Sequence, residues 1–468
     1  MKKSIAALLA LTLAATTAFS FSAMADEGAD LVWWGWTPGS PVNEEYIAEF
    51  NKEYPDINVT WKQITIDDYD ATLKPALANG EGVDLFECSA GSANGGIAVY
   101  GPSAIDLTDA VKEALGDDYA DKLSEISLNT MTVDGELKAL GVGAVYAGNL
   151  WINKDLFDKY EVEIPTDMES WKAAVAKFEE NGIIGFVQGA GQGAFNMDTF
   201  HAICDNVNPG DFQKAALGEI EWTEDTFVTA LGLWKSLFDE GIMQPGALGV
   251  QQYPEANNLF LSQQAAMVMM GSWYTMNALP GTMKANMESA SSTDEPFTMI
   301  PINFPDIAGT GNVGSMFCDI DYATAVPATA ANQDASVKFA VWLGTSEAGQ
   351  QIIADSLNVV PVLKTAVPNW DNIELVNPEA QNEAIQEYLA NAVDQPENAR
   401  FGNISADLNS AMMDVLAGVA SDTMSVEDGL AQLAEVAGET WESYFLVEGV
   451  PVFPGAPGYH YPETAAQV

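Results

Sequence analysis

Basic residues are scarce in this chain of 468 residues: 18 lysines and arginines stand against 67 aspartates and glutamates, a formal charge of −49. Neutralising phosphates takes clustered Lys and Arg, so nucleic acid is excluded as a partner. Arg400 is the only arginine, and because arginine forks are the usual clamps for carboxylates and phosphates, an anionic ligand is disfavoured. The acids are spread along the chain, which predicts a solvated acidic surface. Histidine is equally rare: His201 and His460 form no triad or metal set with their neighbours, and G-x-S-x-G and H-E-x-x-H are missing. The three cysteines, Cys88, Cys204 and Cys318, lie far apart and make no C-x-x-C pair, which argues against a zinc module or a redox motif. At most one disulfide can form among them, and three small buried side chains is the simpler expectation. No cofactor and no metal are expected.

Long apolar runs are missing beyond the N-terminus. There, Lys2 and Lys3 precede an apolar run from Ile5 to Phe21, interrupted by Thr12, Thr16, Thr17 and Ser20, and Ala23-Met24-Ala25 forms a small-x-small cleavage site. These are the zones of a secretory signal, residues 1–25, removed after Ala25. No later stretch approaches the roughly eighteen apolar residues of a membrane span, so the mature chain is expected to be soluble. With no cysteine near the cleavage site to take a lipid, a freely diffusing periplasmic protein is expected. Hydrophobic residues make up 48%, enough for a large core, and a chain of this length should divide into lobes.

Leu31 to Trp36 reads as a buried strand followed by a Pro/Gly loop, Thr37 to Pro41. A helix follows, with Ser40 as its cap, Pro41 at its first position, Val42, Tyr46 and Phe50 on one face, and a stop at Pro55. Ile57, Val59 and Trp61 alternate as a strand, Tyr69 to Asn79 is helical, and Val83 to Cys88 is another buried strand. Strands and helices in alternation predict a parallel sheet covered on both faces, which binds ligands at its carboxyl ends. Trp36, Thr37 and Glu87 to Ser89 fall at that rim.

Further on, Thr166 and Glu169 have the spacing of a capping box ahead of Trp171, Val175 and Phe178. The glycine-rich segment 185–194 lacks a phosphate-cradle pattern and reads as strand and loop. Helices are expected over 225–240, 257–264 and 334–344, and strands over 265–270 and 323–326. Residues 299–305 are too proline-rich for a helix and should cross in extended form. The last hundred residues are mainly helical, with apolar stripes at Met412, Leu416, Val419 and at Leu430, Leu433, Val436, Trp441.

Several segments together resemble the extracellular solute-binding proteins of sugar ABC transporters, the family that contains maltose-binding protein. The Trp-Gly-Trp strand leads to a helix ending Glu49-Phe50-Asn51-Lys52-Glu53-Tyr54-Pro55, similar to the family's EFEKEYPDI. The segment 148–157, including Asn153-Lys154-Asp155-Leu156-Phe157, resembles its LYYNKDLF, and Pro165-Thr166 with Trp171 its PTTWDE. Phe260 to Met267 and Gly271-Ser272-Trp273 resemble FxxGKAAM…GxW, with Ser262-Gln263-Gln264 in place of the usual Gly-Lys or Gly-Gln. Ala340 to Gln351 resembles FLKFLTSPEGQQ. Each motif is weak alone, but their order and spacing over nearly the whole mature chain are specific.

That resemblance implies an α/β, two-lobe periplasmic binding protein fold (type II-like) with a hinge crossed three times, near 140, 300 and 350. One lobe would be 26–140 plus 300–348 and the other 141–299 plus 349–468. It implies a monomer that captures a neutral mono- or oligosaccharide between the lobes and passes it to ABC permease subunits in the membrane.

A sugar offers apolar C–H faces and a girdle of hydroxyls, which suit aromatic plates and short polar side chains. Trp273 with Tyr274 is the expected platform, because the family carries a sugar-stacking Trp at this motif; core packing is the alternative. Trp36 with Thr37 comes next. Tyr69, Glu87 and Ser89 would point into the cleft if the sheet assignment holds, Glu87 accepting two hydroxyls or standing as a solvated rim acid. Tyr146 and Ser315 occupy positions where relatives place cleft residues. Arg400 matches an arginine that some relatives use against a sugar hydroxyl, and a structural ion pair is the alternative. The rival functions are a binding protein for a peptide, polyamine, metal or organic acid, and a secreted glycoside hydrolase with two placed carboxylates.

Overall fold

The computed structural model describes residues 28–443 except 38, 40–41, 81, 92–94, 393–397 and 402–403, together with 446–447 and 450–451. The signal-peptide and cleavage assignments, the Ser40 cap, Pro41 and His460 lie outside the described residues, as does the side chain of Trp441.

The chain begins with strand β1 (Ala29–Gly35), helix α1 (Val42–Glu53), strand β2 (Ile57–Gln63), helix α2 (Ile66–Asn79) and strand β3 (Leu85–Cys88). α2 starts three residues earlier than its apolar spacing indicates and ends on Gly80 in the left-handed region, where a side chain would be strained. After small helices come β4 (Leu140–Ala147) and, beyond Gly148, β5 (Asn149–Asn153). Gly148 has φ +106° and a Cβ there would overlap the Ser315 carbonyl, so the sharp passage between these strands needs glycine.

Helix α3 (Met168–Glu179), strand β6 (Ile184–Val187), helix α4 (Gly193–Val207) and helix α5 (Asp225–Asp239) lead to β7 (Ala265–Met269), β8 (Met299–Asn303) and the long β9 (Phe317–Ala325). The capping box of α3 is one residue beyond the expected Thr166–Glu169 pair. Asp167 accepts from Ser170 N at 2.8 Å, and Ser170 Oγ accepts from Asp167 N at 3.0 Å. Asp is the stronger cap, and Thr166 instead gives its carbonyl to Asp306 N. The chain closes with α6 (Gln333–Thr345), α7 (Glu347–Ser356), β10 (Val360–Pro361), α8 (Pro378–Asn391), α9 (Ala406–Ala420) and α10 (Val426–Ser443).

Among the described residues two main sheets form, one of six strands in the order β10-β4-β9-β3-β1-β2 and one of four in the order β8-β5-β7-β6. The first is parallel only across β2, β1 and β3, as the alternation of strands and helices predicts. β9, expected over 323–326, begins six residues earlier, at Phe317, and is antiparallel to both β3 and β4. The sheet is therefore mixed.

The chain changes sheet between 147 and 149, again between 304 and 316, and a third time after β10, since α8 packs on the second sheet. There Gln381 Nε2 donates to Met299 O at 2.9 Å, and Tyr388 donates to Asn149 Oδ1 at 2.8 Å. Aromatic pairs fill the interior on both sheets. On the first, Trp33 meets Trp61 edge-on at 4.3 Å and Phe50 meets Phe339 at 4.9 Å. On the second, Trp171 meets Phe186 at 5.1 Å, and the buried stripe of Met412, Leu416 and Val419 covers Trp234, whose indole donates to Leu416 O. Leu430 and Leu433 are buried and Val436 half-buried. Cys88, Cys204 and Cys318 are all free and buried. No described helix is long and apolar enough to cross a membrane.

Candidate ligand-binding cleft

On the first lobe the site grows from the carboxyl end of β1. Gly35 is buried and a Cβ there would overlap Glu87 Oε2, so only glycine lets the β3 carboxylate reach under the loop. Glu87 Oε2 accepts the backbone N–H of Trp36, and that of Thr37 at 3.1 Å. The Trp36 indole, half-buried, stands edge-on to Tyr69 at 4.8 Å and 84°, and the Tyr69 hydroxyl donates to Glu87 O at 2.8 Å. Beside the Trp36 indole lies Asp321, a half-buried carboxylate in β9. The register of β9 slips between Ile320 and Tyr322; such an irregularity turns a side chain out of strict alternation and re-aims it. Burial pushes the Asp321 carboxyl up, against the pull of Arg400.

The second lobe contributes the turn after β7. Ser272 Oγ accepts from Tyr146 N at 2.9 Å, and the next residue, Trp273, is half-buried. Trp273 Nε1 donates to the Tyr253 hydroxyl at 3.1 Å, and Phe195 stands edge-on to both rings at 6.3 and 6.0 Å. Over the Trp273 ring, 4.8 Å from its centroid, lies the Arg400 guanidinium. Its Nε and Nη2 form a fork to Asp198 of α4 at 2.7 and 2.5 Å. Burial pushes the Asp198 carboxyl up and the guanidinium opposes it. The charge of Arg400 also reaches Asp321 and Tyr253, which brings the two sides to one place.

Two indoles from opposite lobes thus flank a carboxylate, a guanidinium and a phenol. Indole faces cover apolar C–H surfaces, and Asp321 can accept two hydroxyls at once.

Trp36, Thr37, Trp273 and Arg400 from the sequence reading converge here. Thr37 turns its hydroxyl to Asn358 Nδ2 at 3.4 Å. Arg400 is the structural ion pair foreseen as its alternative, yet it also roofs the Trp273 ring. The other six are elsewhere. Tyr274 is 1% exposed between Trp151 and Phe260, its hydroxyl on Asn257 Oδ1, so it is a core residue. Tyr146 is buried in β4. Tyr69 and Glu87 are wholly buried behind Trp36, so Glu87 is not a solvated rim acid. Ser89 is half-buried and its backbone bridges to Gly96. Ser315 donates to Asp205.

Asp321, Tyr253, Phe195 and Asp198 were not foreseen. Asp319 and Asp321 within an otherwise apolar stretch, Phe317 to Ala325, were the available signal for the first; the other three join the site only through tertiary packing. Among the described residues no group of His, Cys, Asp and Glu suits a metal. An apolar cavity of about 260 Å³ lined by Tyr146, Ser272, Leu357, Val359, Leu363 and Leu389 holds none of the indole, carboxylate and guanidinium set.

Residues 33–350 match the model of the bacterial extracellular solute-binding proteins. Among solved structures, a protein from work on xylan utilization by Caldanaerobius polysaccharolyticus is 22% identical, with a TM-score of 0.68 over 87% of this chain and 99% of that one. An ABC substrate-binding protein of Listeria monocytogenes in complex with cycloalternan is 20% identical, with a TM-score of 0.64 over 88% and 99%. A maltose-bound protein of T. maritima is 17% identical, with a TM-score of 0.66 over 88% and 100%. No curated protein sequence matches. These likenesses establish a two-lobe periplasmic binding protein fold.

Proposed function

Because this chain belongs to the bacterial extracellular solute-binding protein family, we propose that it is the substrate-binding component of an ABC importer and captures a neutral mono- or oligosaccharide between its lobes. The observation that carries the reading is the pair of indoles, Trp36 and Trp273, set on opposite lobes around Asp321 and Arg400. Apolar plates with a few placed polar groups are what a sugar ring requires. The saccharides bound by or associated with its structural relatives, xylan, cycloalternan and maltose, agree in chemical class. The neutral character of the ligand rests on the fork between Arg400 and Asp198, which spends the only arginine on an internal partner.

Binding closes the lobes about the three passages at 147–149, 304–316 and after Pro361. The ligand favours the closed form by its difference in affinity for the two states. The closed monomer docks on permease subunits. Export by the N-terminal signal, cleavage after Ala25 and release into a periplasm without a lipid anchor complete the proposal. We read the protein as a binder and not an enzyme. A hydrolase needs two free carboxyls, whereas Asp198 is held by Arg400 and Glu87 is sealed under the loop.

A thermal-shift panel of saccharides, spermidine, peptides and organic acids tests the assignment. A saccharide should raise Tm progressively with concentration. Stabilisation by spermidine alone overturns the sugar reading, and turnover of a glycan overturns the non-enzymatic one.

A further inference from the structure

Beneath the Trp36 loop lies a cluster of buried polar atoms that neither the fold nor the cleft uses. Glu87 Oε1, the hydroxyls of Tyr46 and Tyr322, and Thr324 Oγ1 have no hydrogen-bond partner among the described residues, and all four residues are fully buried. They share one region. Thr324 lies opposite Glu87 in the pairing of β3 and β9. Tyr322, two residues before it, stacks its ring beside Trp33 at 6.4 Å. Tyr46 reaches in from α1, and both tyrosines feel the charge of Glu87 while Tyr322 also feels Tyr46.

An unpartnered buried polar group costs about 1–3 kcal/mol, and native proteins keep such groups few. Four in one place have a common solution in one or more waters, each making about three hydrogen bonds. Three hydroxyls that both donate and accept, with one carboxyl oxygen, supply the required partners. The other carboxyl oxygen is fully engaged by Trp36 N and Thr37 N.

We propose that Glu87 is a positioning residue for the Trp36 indole, one carboxyl oxygen holding the Trp36–Thr37 backbone while the other anchors ordered water in a chamber shared with Tyr46, Tyr322 and Thr324. The part concerning affinity rests on the reading of Trp36 as a ligand-facing side chain. Burial pushes the Glu87 carboxyl well above its usual value, toward the neutral form. Because Oε2 already accepts two N–H groups, Oε1 is the oxygen left to face the chamber and is where the neutral form would carry its proton. Facing Glu87 are Tyr46 from α1, Tyr69 from α2, Cys88 beside it and Asp321 and Tyr322 from β9. A glutamine has the same shape and the same pattern, an oxygen for the loop and a donor for the water.

The experiment combines a high-resolution crystal structure of the ligand-free protein with E87Q, E87A and Y46F. Density for water within about 3.2 Å of Glu87 Oε1 and of one of the three hydroxyls is expected; a dry chamber overturns the water. Y46F should lower Tm by about 1–2 °C, the shift of a lost hydrogen bond in a chain this large. A Tm that rises would overturn the water independently. Against the best saccharide of the panel, E87A should weaken binding at least tenfold and E87Q should restore most of that loss. Equal binding by E87A and wild type overturns the positioning role, and E87Q as weak as E87A overturns it in favour of a charge acting on the ligand. Should wild type bind no saccharide, the proposed function fails, and positioning is still read without ligand. Acrylamide quenching, taken as the difference between each background and its W36F derivative, should show Trp36 more accessible in E87A; no change overturns the role. If E87A does not fold, G35A, whose added Cβ displaces the same carboxylate, takes its place in both readings.

Discussion

At the residue scale the site turns on Arg400, buried at 8% exposure and bound by a fork to Asp198 at 1%. Removing the guanidinium leaves a buried carboxylate uncompensated, a loss of about 3–5 kcal/mol. R400A should therefore lower stability in denaturant titrations by that order and abolish saccharide binding. R400K keeps the charge but cannot make the planar fork, and should fall between R400A and wild type. Trp273 has the opposite profile. It is half-buried, so W273A should cost little Tm while weakening the saccharide about tenfold by calorimetry, equivalent to about 1.4 kcal/mol. Arg400 and Trp273 were legible in the sequence because one is unique and the other sits in a recognisable Gly-Ser-Trp turn. Tyr274 misled for a physical reason: adjacent residues in a tight turn point to different sides, and only one of the two rings could face out.

At the element scale, helix α4 presents Asp198, His201 and Asp205 at helical spacing, all at 1% exposure. Three of its buried polar groups tie it to Arg400 and to the passage that precedes β9: Asp198 to Arg400, Asp205 to Ser315, and Asn206, whose Oδ1 accepts from Ile307 N at 3.1 Å. A sequence reading that scores helices by one apolar face cannot see such a helix, because no face of it is solvated. His201 lies between Phe212 and Phe317, both rings 3.9 Å away and nearly parallel. Burial lowers its pKa to about 4, against the opposing charge of Asp205. The unfolded chain takes up this proton near pH 6.5 and the folded chain only near 4. The contribution is thus fully present above 6.5 and is lost as pH falls through that window, by about 3 kcal/mol. Wild type minus H201F should show that slope in denaturant unfolding between pH 6.5 and 4; parallel pH profiles would mean that His201 is protonated in the fold.

At the scale of the molecule, β9 shows what was legible and what was not. Strand, helix and strand alternation announced β1, β2 and β3, because their pattern is local. The antiparallel β9 joins them from more than two hundred residues away, and Asp319 and Asp321 within it hid its first half from a reading that looks for apolar runs. That strand stands where the chain passes between the lobes: it follows directly on the second passage, and its Cys318 bridges to Ala399 beside Arg400. The proposed closure bends the chain at 147–149, 304–316 and after Pro361 while the β4–β9 ladder stays intact. Gly148 is the tightest of these points, with φ +106° and no room for a Cβ beside the Ser315 carbonyl. A side chain there strains the backbone and pushes the two passages apart. Small-angle scattering should show wild type compacting when its saccharide is added, with the ligand-free radius of gyration larger than the bound one. G148A should retain both sheets yet lose that compaction, and its affinity should fall with it, since a ligand shifts a two-state equilibrium only by its differential affinity. A G148A protein that compacts and binds as wild type would place the hinge elsewhere, on the 304–316 passage or after Pro361.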